Sequence, residues 1–175
     1  MLRYMTSTGR LLVKPSASVS IVVSVGVLSC FAKLRQLDLY RPESGGVLMG
    51  RVFGAGNEYA VEEVTVPCGQ DKQSRSSFFR SPFHHRAAER YWKQTRGEGT
   101  YLGLWHTHPE LTPKPSRVDM ADWRRALKKD VFHGSGLLFV IVGTKELGFW
   151  YGGSSRRVNF LGNFEIKRYV DNLSS

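Results

Sequence analysis

The residues with the clearest chemical meaning are His106 and His108, followed by Ser116 and Asp119. Histidines at i and i+2 point to one face of a strand, so the two imidazoles can converge on one ion. Ser116-Arg117-Val118-Asp119 has the form of a helix start, with Ser116 at the cap and Asp119 in the first turn. Helical side chains tilt toward the N-terminus, which aims Asp119 back at the histidine strand. Two imidazoles and one carboxylate make three protein ligands, the set zinc uses when its fourth position is left for water. A centre of that kind polarises a carbonyl and activates water. Hydrolysis also needs a group that takes a proton from water and passes it on. On residue type alone, Glu43, Glu58, Glu62, Glu63 and Glu110 all qualify.

The elements that must position these groups follow from patterning. The 104–108 stretch ends an expected strand over 100–106, in which Trp105 alternates away from the ligand face and reads as core. A proline-rich loop over 109–115 leads to a helix from Ser116 with Met120, Trp123 and Leu127 inward. Leu137 to Val142 is an uninterrupted apolar run, the pattern of a central buried strand. Upstream, a strand over 19–24 and a helix over 27–39 are expected, with Arg41-Pro42 as the stop. Strands over 46–53 and 58–66 form a hairpin through Gly54 to Asn57. Polar residues 69–82 read as a loop, and a helix is expected over 83–95 with Ala87, Ala88, Tyr91 and Trp92 on one face. Closing strands are expected over 146–152 and 157–160, and a last strand or short helix over 164–170. Residues 1–16 read as a loose leader and 17–175 as one domain. Strands interspersed with about three helices indicate a single mixed α/β domain.

Composition bounds the function classes. The chain has 175 residues, 41% of them apolar, enough for one buried core. Its net charge of +10 favours acidic partners, but the cations are dispersed and no basic groove with interleaved aromatics is evident. A nucleic-acid-associated protein is therefore the alternative of a different class. Cys30 and Cys68 make no disulfide framework, and free thiols in the cytoplasm are expected. Val27-Leu28-Ser29-Cys30 loosely resembles a lipoprotein cleavage site. Ser18, Ser20, Ser24 and Ser29 dilute the apolar run, which is too short for a membrane span. No membrane association is expected.

Taken together, Glu43-Ser44-Gly45-Gly46 and His106-x-His108 followed by Ser116-x-x-Asp119 resemble the JAMM motif of JAB/MPN metallopeptidases, in its prokaryotic JAB form. The resemblance covers about residues 18–152 and implies a deaminase-like α/β fold, a mixed sheet flanked by about three helices. It implies a zinc hydrolase that cleaves isopeptide or peptide bonds after the C-terminus of a ubiquitin-like tag. Carried over, His106, His108 and Asp119 would bind Zn2+, Ser116 would steady the oxyanion and Glu43 would be the general base. Gly45 and Gly46 would let backbone approach the site closely. Overall length, the Phe78-to-Trp92 region and the Trp105-to-Asp119 stretch are most similar to the JAB peptidases of CBASS anti-phage operons. Those work beside ubiquitin-activating and ubiquitin-conjugating-like proteins on conjugates of a cGAS-like nucleotidyltransferase. That resemblance implies an extended substrate tail, held by strand addition near the site. A related expectation is processing of a sulfur-carrier protein or another ubiquitin-like precursor.

Overall fold

The computed structural model describes residues 2–5, 10–16 and 19–166. In chain order the strands are β1 (Leu2–Met5), β2 (Leu11–Ser16), β3 (Val19–Val23), β4 (Gly45–Phe53), β5 (Glu58–Val64), β6 (Lys72–Ser74), β7 (Ser77–Phe79), β8 (Gly99–Thr107), β9 (Gly136–Val142), β10 (Glu146–Gly153) and β11 (Val158–Glu165). The helices are α1 (Val25–Leu34), α2 (Pro82–Gln94) and α3 (Arg117–Lys129). Nine strands form one sheet in the order β1-β2-β3-β5-β4-β8-β9-β10-β11, and β6 and β7 form a separate pair. The β3–β5 and β8–β9 pairs are parallel and the other pairings antiparallel, so the sheet is mixed.

The sheet is covered on both faces. Val27, Leu28, Phe31 and Ala32 of α1 pack on one side with Ile21, Tyr59, Leu102 and Trp105. Ala88 and Tyr91 of α2 and Trp123, Ala126 and Leu127 of α3 pack on the other with Leu104, Phe139 and Trp150. A strand buried on both faces needs apolar residues at every position, which is why Leu137 to Val142 has no alternation. The three-layer arrangement agrees with the expected mixed sheet and three helices.

The local differences have identifiable causes. Where a loose leader is expected over 1–16, β1 and β2 extend the sheet, and Leu11, Leu12 and Val13 are buried. Their partner is β3, a pairing that no local pattern announces. The helix expected over 27–39 is α1, which stops at Leu34 because Arg35 turns to ψ 144°. Arg35 then donates to Ala32 O and Thr144 O, which holds that exit. The expected 69–82 loop contains the β6–β7 hairpin. Trp92 does not share the inner face of α2: it is 47% exposed, whereas Ala88 and Tyr91 are buried. β11 takes the last strand to Glu165, and residues from 167 onward lie outside those described.

One backbone feature decides which layer the histidines face. Pairing of β4 with β8 slips by one residue, since Leu48 lies opposite Gly103 and Met49 opposite Tyr101. Gly103 has φ 146°, a region that favours glycine, and a Cβ there would overlap Leu138 O. A bulge of this kind re-aims every following side chain. Beyond it Trp105 points into the α1 layer, while His106 lies 6.5 Å ring to ring from Trp123 of α3.

Candidate metal centre

His106 lies in the last pairing of β8 with β4 and His108 just past the end of β8, opposite the start of β4, where Gly45 pairs with His106. His108 N donates to Val142 O at 2.9 Å, so the second histidine is held by β9. The third candidate ligand, Asp119, comes from α3. Ser116 Oγ accepts from Asp119 N at 3.1 Å, and Ser116 N donates to Asp119 Oδ2 at 2.6 Å, a reciprocal capping box. The helix itself is held by Trp123, stacked on Phe139 at 4.8 Å, and by the Arg80–Asp122 ion pair.

The ligand atoms converge. His106 Nε2 lies 3.0 Å from His108 Nε2. Asp119 Oδ1 is 3.1 Å from His106 Nε2, and its Oδ2 is 3.4 Å from His108 Nε2. In a tetrahedral zinc site with bonds near 2.0–2.1 Å, neighbouring ligand atoms stand roughly 3.4 Å apart. Two ring nitrogens turned toward each other beside one carboxylate therefore fit a small divalent cation well. Glu110 Oε2, 3.8 Å from His108 Nδ1, stands where it favours a proton on the nitrogen that faces away from the ion.

The electrostatics separate the four groups by environment. Burial of His106 pushes its pKa down, which favours the neutral ring. Burial also acts to lower His108, but the Asp119, Glu43 and Glu110 carboxylates outweigh it and raise that pKa. Desolvation would raise Asp119, yet hydrogen bonds from His106, His108 and Ser116 hold it well below the carboxylate range. Glu43 behaves oppositely. It is 5% exposed, and burial pushes its carboxyl to about 7, against a smaller lowering by His108. The two carboxylates of this cleft are thus driven apart in pKa, Asp119 downward and Glu43 upward.

Glu43 stands immediately before β4, and its Oε1 is 3.9 Å from His108 Nε2. Close packing explains the glycine that follows. A Cβ on Gly45 would lie 2.8 Å from Trp105 O and closer still to the Phe78 ring. All five residues expected at the site, Glu43, His106, His108, Ser116 and Asp119, are thus gathered at the open ends of β4 and β8 and the start of α3. Trp105 is fully buried as expected, with Nε1 donating to Thr65 O at 3.0 Å. Glu58 lies at the far end of β5, and Glu62 is paired with Arg51, away from the metal ligands.

A second group escaped the sequence reading. Cys68, Asp71 and His84 also bring three ligand atoms within 4.8 Å of one another. Its chemistry differs, because every strong hydrogen-bonding group already has a partner. Asp71 accepts from Cys68 N at 2.7 Å and Ser81 N at 2.8 Å, and from His84 Nε2 at 3.0 Å. Thr65 Oγ1 meets His84 Nδ1 at 2.5 Å, and both ring and carboxylate are fully buried. This is a clasp that joins the end of β5 to the hairpin and to α2. Asp71→Ala leaves three buried donors unmet, and is expected to cost about 3–5 kcal/mol. Calorimetry should show the melting temperature falling by roughly 6–20 °C.

Residues 26–153 match the family model described as prokaryotic homologs of the JAB domain. Over 155 residues the chain is 33% identical to a Vibrio cholerae protein named CD-NTase/cGAS isopeptidase, covering 88% of this chain and 94% of that one. A Pseudomonas aeruginosa protein of the same name is 43% identical over 88 residues, covering 50% of this chain and 54% of that one. Among solved structures, a Desulfitobacterium hafniense protein determined in solution covers 80% of this chain and 88% of its own, with a TM-score of 0.56 and 23% identity. That likeness concerns the fold alone. No helix among the described residues is long and apolar enough to cross a membrane. With the family match spanning most of the sheet and all three helices, the chain belongs to the prokaryotic JAB-domain family.

Proposed function

We propose that this chain is a JAMM-type zinc isopeptidase that hydrolyses the amide bond joining the C-terminal tail of a cGAS-like nucleotidyltransferase to its conjugates. The observation that carries the reading is the convergence of His106, His108 and Asp119 with a buried, protonatable Glu43 beside them. The substrate class is supported by the Vibrio and Pseudomonas relatives, whose names give CD-NTase/cGAS isopeptidase. The proposal includes a functional link to ubiquitin-activating and ubiquitin-conjugating-like proteins, which would form the bond that is cut.

His106, His108 and Asp119 would hold zinc, which when bound supplies a Lewis acid and brings the pKa of water toward neutrality. Glu43 then accepts the proton of the attacking water and delivers it to the leaving amine. Burial suits it to both halves, because a carboxyl near pH 7 gives up a proton as readily as it takes one. Ser116 Oγ uses a lone pair for Asp119 N, so its O–H remains able to donate to the developing oxyanion. The β6–β7 hairpin lies beside Glu43, where an extended tail can add as a strand.

Ser116→Ala is expected to lower kcat about 10²- to 10³-fold, while loss of the cap costs about 1 kcal/mol. Ser116→Thr restores both. Steady-state kinetics alongside a thermal melt separate the two effects. The substrate assignment is tested with a nucleotidyltransferase fused through its C-terminus to a reporter protein. Mass spectrometry should find cleavage directly after the last native residue. Cleavage elsewhere, or none by active enzyme, excludes that substrate.

A further inference from the structure

We propose that Gln36 and Thr107 are positioning residues that hold Glu43 against the metal centre, acting through the backbone of Ser44. The inference rests on the reading of Glu43 as proton carrier and adds the device that places it.

Gln36 lies two residues beyond α1 and is 3% exposed. A buried amide left without partners destabilises the fold, so its bonding is informative. Here the amide is saturated across three chain segments. Its Nε2 donates to Arg41 O at 3.0 Å and to Arg75 O, at the tip of the β6–β7 hairpin, at 3.1 Å. Those two acceptors fix which end of the amide is which. Oε1 must then point the other way, where it accepts from Thr107 Oγ1 at 3.1 Å.

Thr107 stands between the two histidines, fully buried. Its single hydroxyl hydrogen goes to Gln36, which leaves its oxygen to accept from Ser44 N at 2.9 Å. Its own backbone N donates to Ser44 O at 2.8 Å. Ser44 is thus gripped on both sides by the residue between the expected ligands. Glu43 is gripped in the same manner by the hairpin. Glu43 N donates to Ser74 O at 2.8 Å, and Gln73 Nε2 donates to Glu43 O at 2.8 Å.

All four backbone polar groups of Glu43 and Ser44 are therefore committed, two to β8 and two to the hairpin. Gln36 joins those two supports, since it binds both Thr107 and the hairpin tip. The only freedom left to Glu43 is its side-chain torsions. A proton carrier must reach its target within hydrogen-bond distance, and an error of about 1 Å can cost on the order of 10²-fold in rate. Ordinary ladder pairing does not supply this grip: Gly45 is the first residue of β4, so Glu43 and Ser44 lie beyond the regular strand.

The test uses the whole chain. Thr107→Val keeps the side chain's shape and removes the hydroxyl, Thr107→Ser keeps the hydroxyl, and Gln36→Met removes the amide. Residue-resolved amide exchange on metal-free protein reads the grip without reference to activity. The Ser44 amide should exchange at least about 10-fold faster in Thr107→Val and Gln36→Met, and should recover in Thr107→Ser. In zinc-loaded protein kcat should fall on the order of 10- to 100-fold, with KM and one zinc per chain retained. Combining Thr107→Val with Gln36→Met should cost less than the sum of the two single changes, because both remove the Thr107–Gln36 hydrogen bond. Unchanged Ser44 exchange and kcat in Thr107→Val overturn the inference, as does a loss of activity that only tracks lost zinc. Glu43→Ala separates the two levels. If it is inactive beside an unimpaired Thr107→Val, this inference alone fails; if it still cleaves, the reading of Glu43 fails and takes the inference with it.

Discussion

Replacing Glu43 by alanine is expected to leave one zinc per chain and lower kcat by about 10³- to 10⁴-fold, with little change in substrate affinity. Glu43 Oε1 is 3.9 Å from His108 Nε2, close enough to share the reaction cleft, yet Asp119 is the carboxylate that meets both histidines. Loss of Glu43 thus removes proton transfer and spares the ligand set. The pH profile has a definite sign. Glu43 must be ionised to accept a proton, and burial raises it from 4.5 to about 7. A divalent cation bound beside it would draw that value down, so the kcat/KM of the zinc-loaded wild type should climb with pH over a range below about 7.

The same shift makes a stability prediction. A group whose folded pKa lies above its unfolded value contributes fully below the unfolded value, and that contribution is lost as pH rises through the folded one. In the metal-free protein, Glu43 therefore weakens the fold between pH 4.5 and about 7. Glu43→Gln keeps the shape without the charge. At pH 8 it should stabilise the metal-free chain by up to about 3 kcal/mol, and at pH 5 by little. Denaturant melts at the two pH values check this. Equal effects at both would show that ionisation is not the cause.

The second large effect concerns Asp119. Asp119→Ala is expected to bring zinc content close to zero and hydrolysis to background. The residue holds the two imidazoles at 3.1 and 3.4 Å, and it also closes the capping box through Ser116 N at 2.6 Å. Losing the carboxylate leaves two ligands, too few for a stable site. It also removes one half of the helix cap, worth about 1 kcal/mol. Asp119→Asn separates these roles, since its amide oxygen can still accept from Ser116 N but is a poor zinc ligand. Asn at this position should recover the melting temperature without recovering zinc, as read by metal analysis and calorimetry. Recovery of both would place the essential contribution of Asp119 in the helix cap.

The site was more legible in the sequence than the frame that holds it. His106, His108, Ser116 and Asp119 lie within 14 residues, so strand and helix geometry alone brings them near one another. Glu43 was different: several glutamates qualified, and only the family resemblance singled it out. The structure gives the physical reason, since β4 pairs with β8 and Gly45 lies opposite His106. The bulge at Gly103 was not legible, because a lone glycine in a strand does not tell which face the following residues take. The Asp71–His84 clasp and the Gln36–Thr107 bond join residues far apart in the chain. No local periodicity marks such pairs, and a glutamine after a helix reads as surface. Nothing local marks the N-terminal strands either, because β2 is ordered by pairing with β3 and β1 by pairing with β2.

The account is tested most directly by hydrolysis of one purified tail-linked conjugate under three conditions: protein as isolated, protein stripped with chelator, and stripped protein given one equivalent of zinc. Cleavage should be lost on stripping and restored by zinc in the wild type, and should be absent throughout in Glu43→Ala despite full zinc loading. Undiminished cleavage by the stripped protein, or by zinc-loaded Glu43→Ala, would contradict the assignment of this centre as the catalytic one.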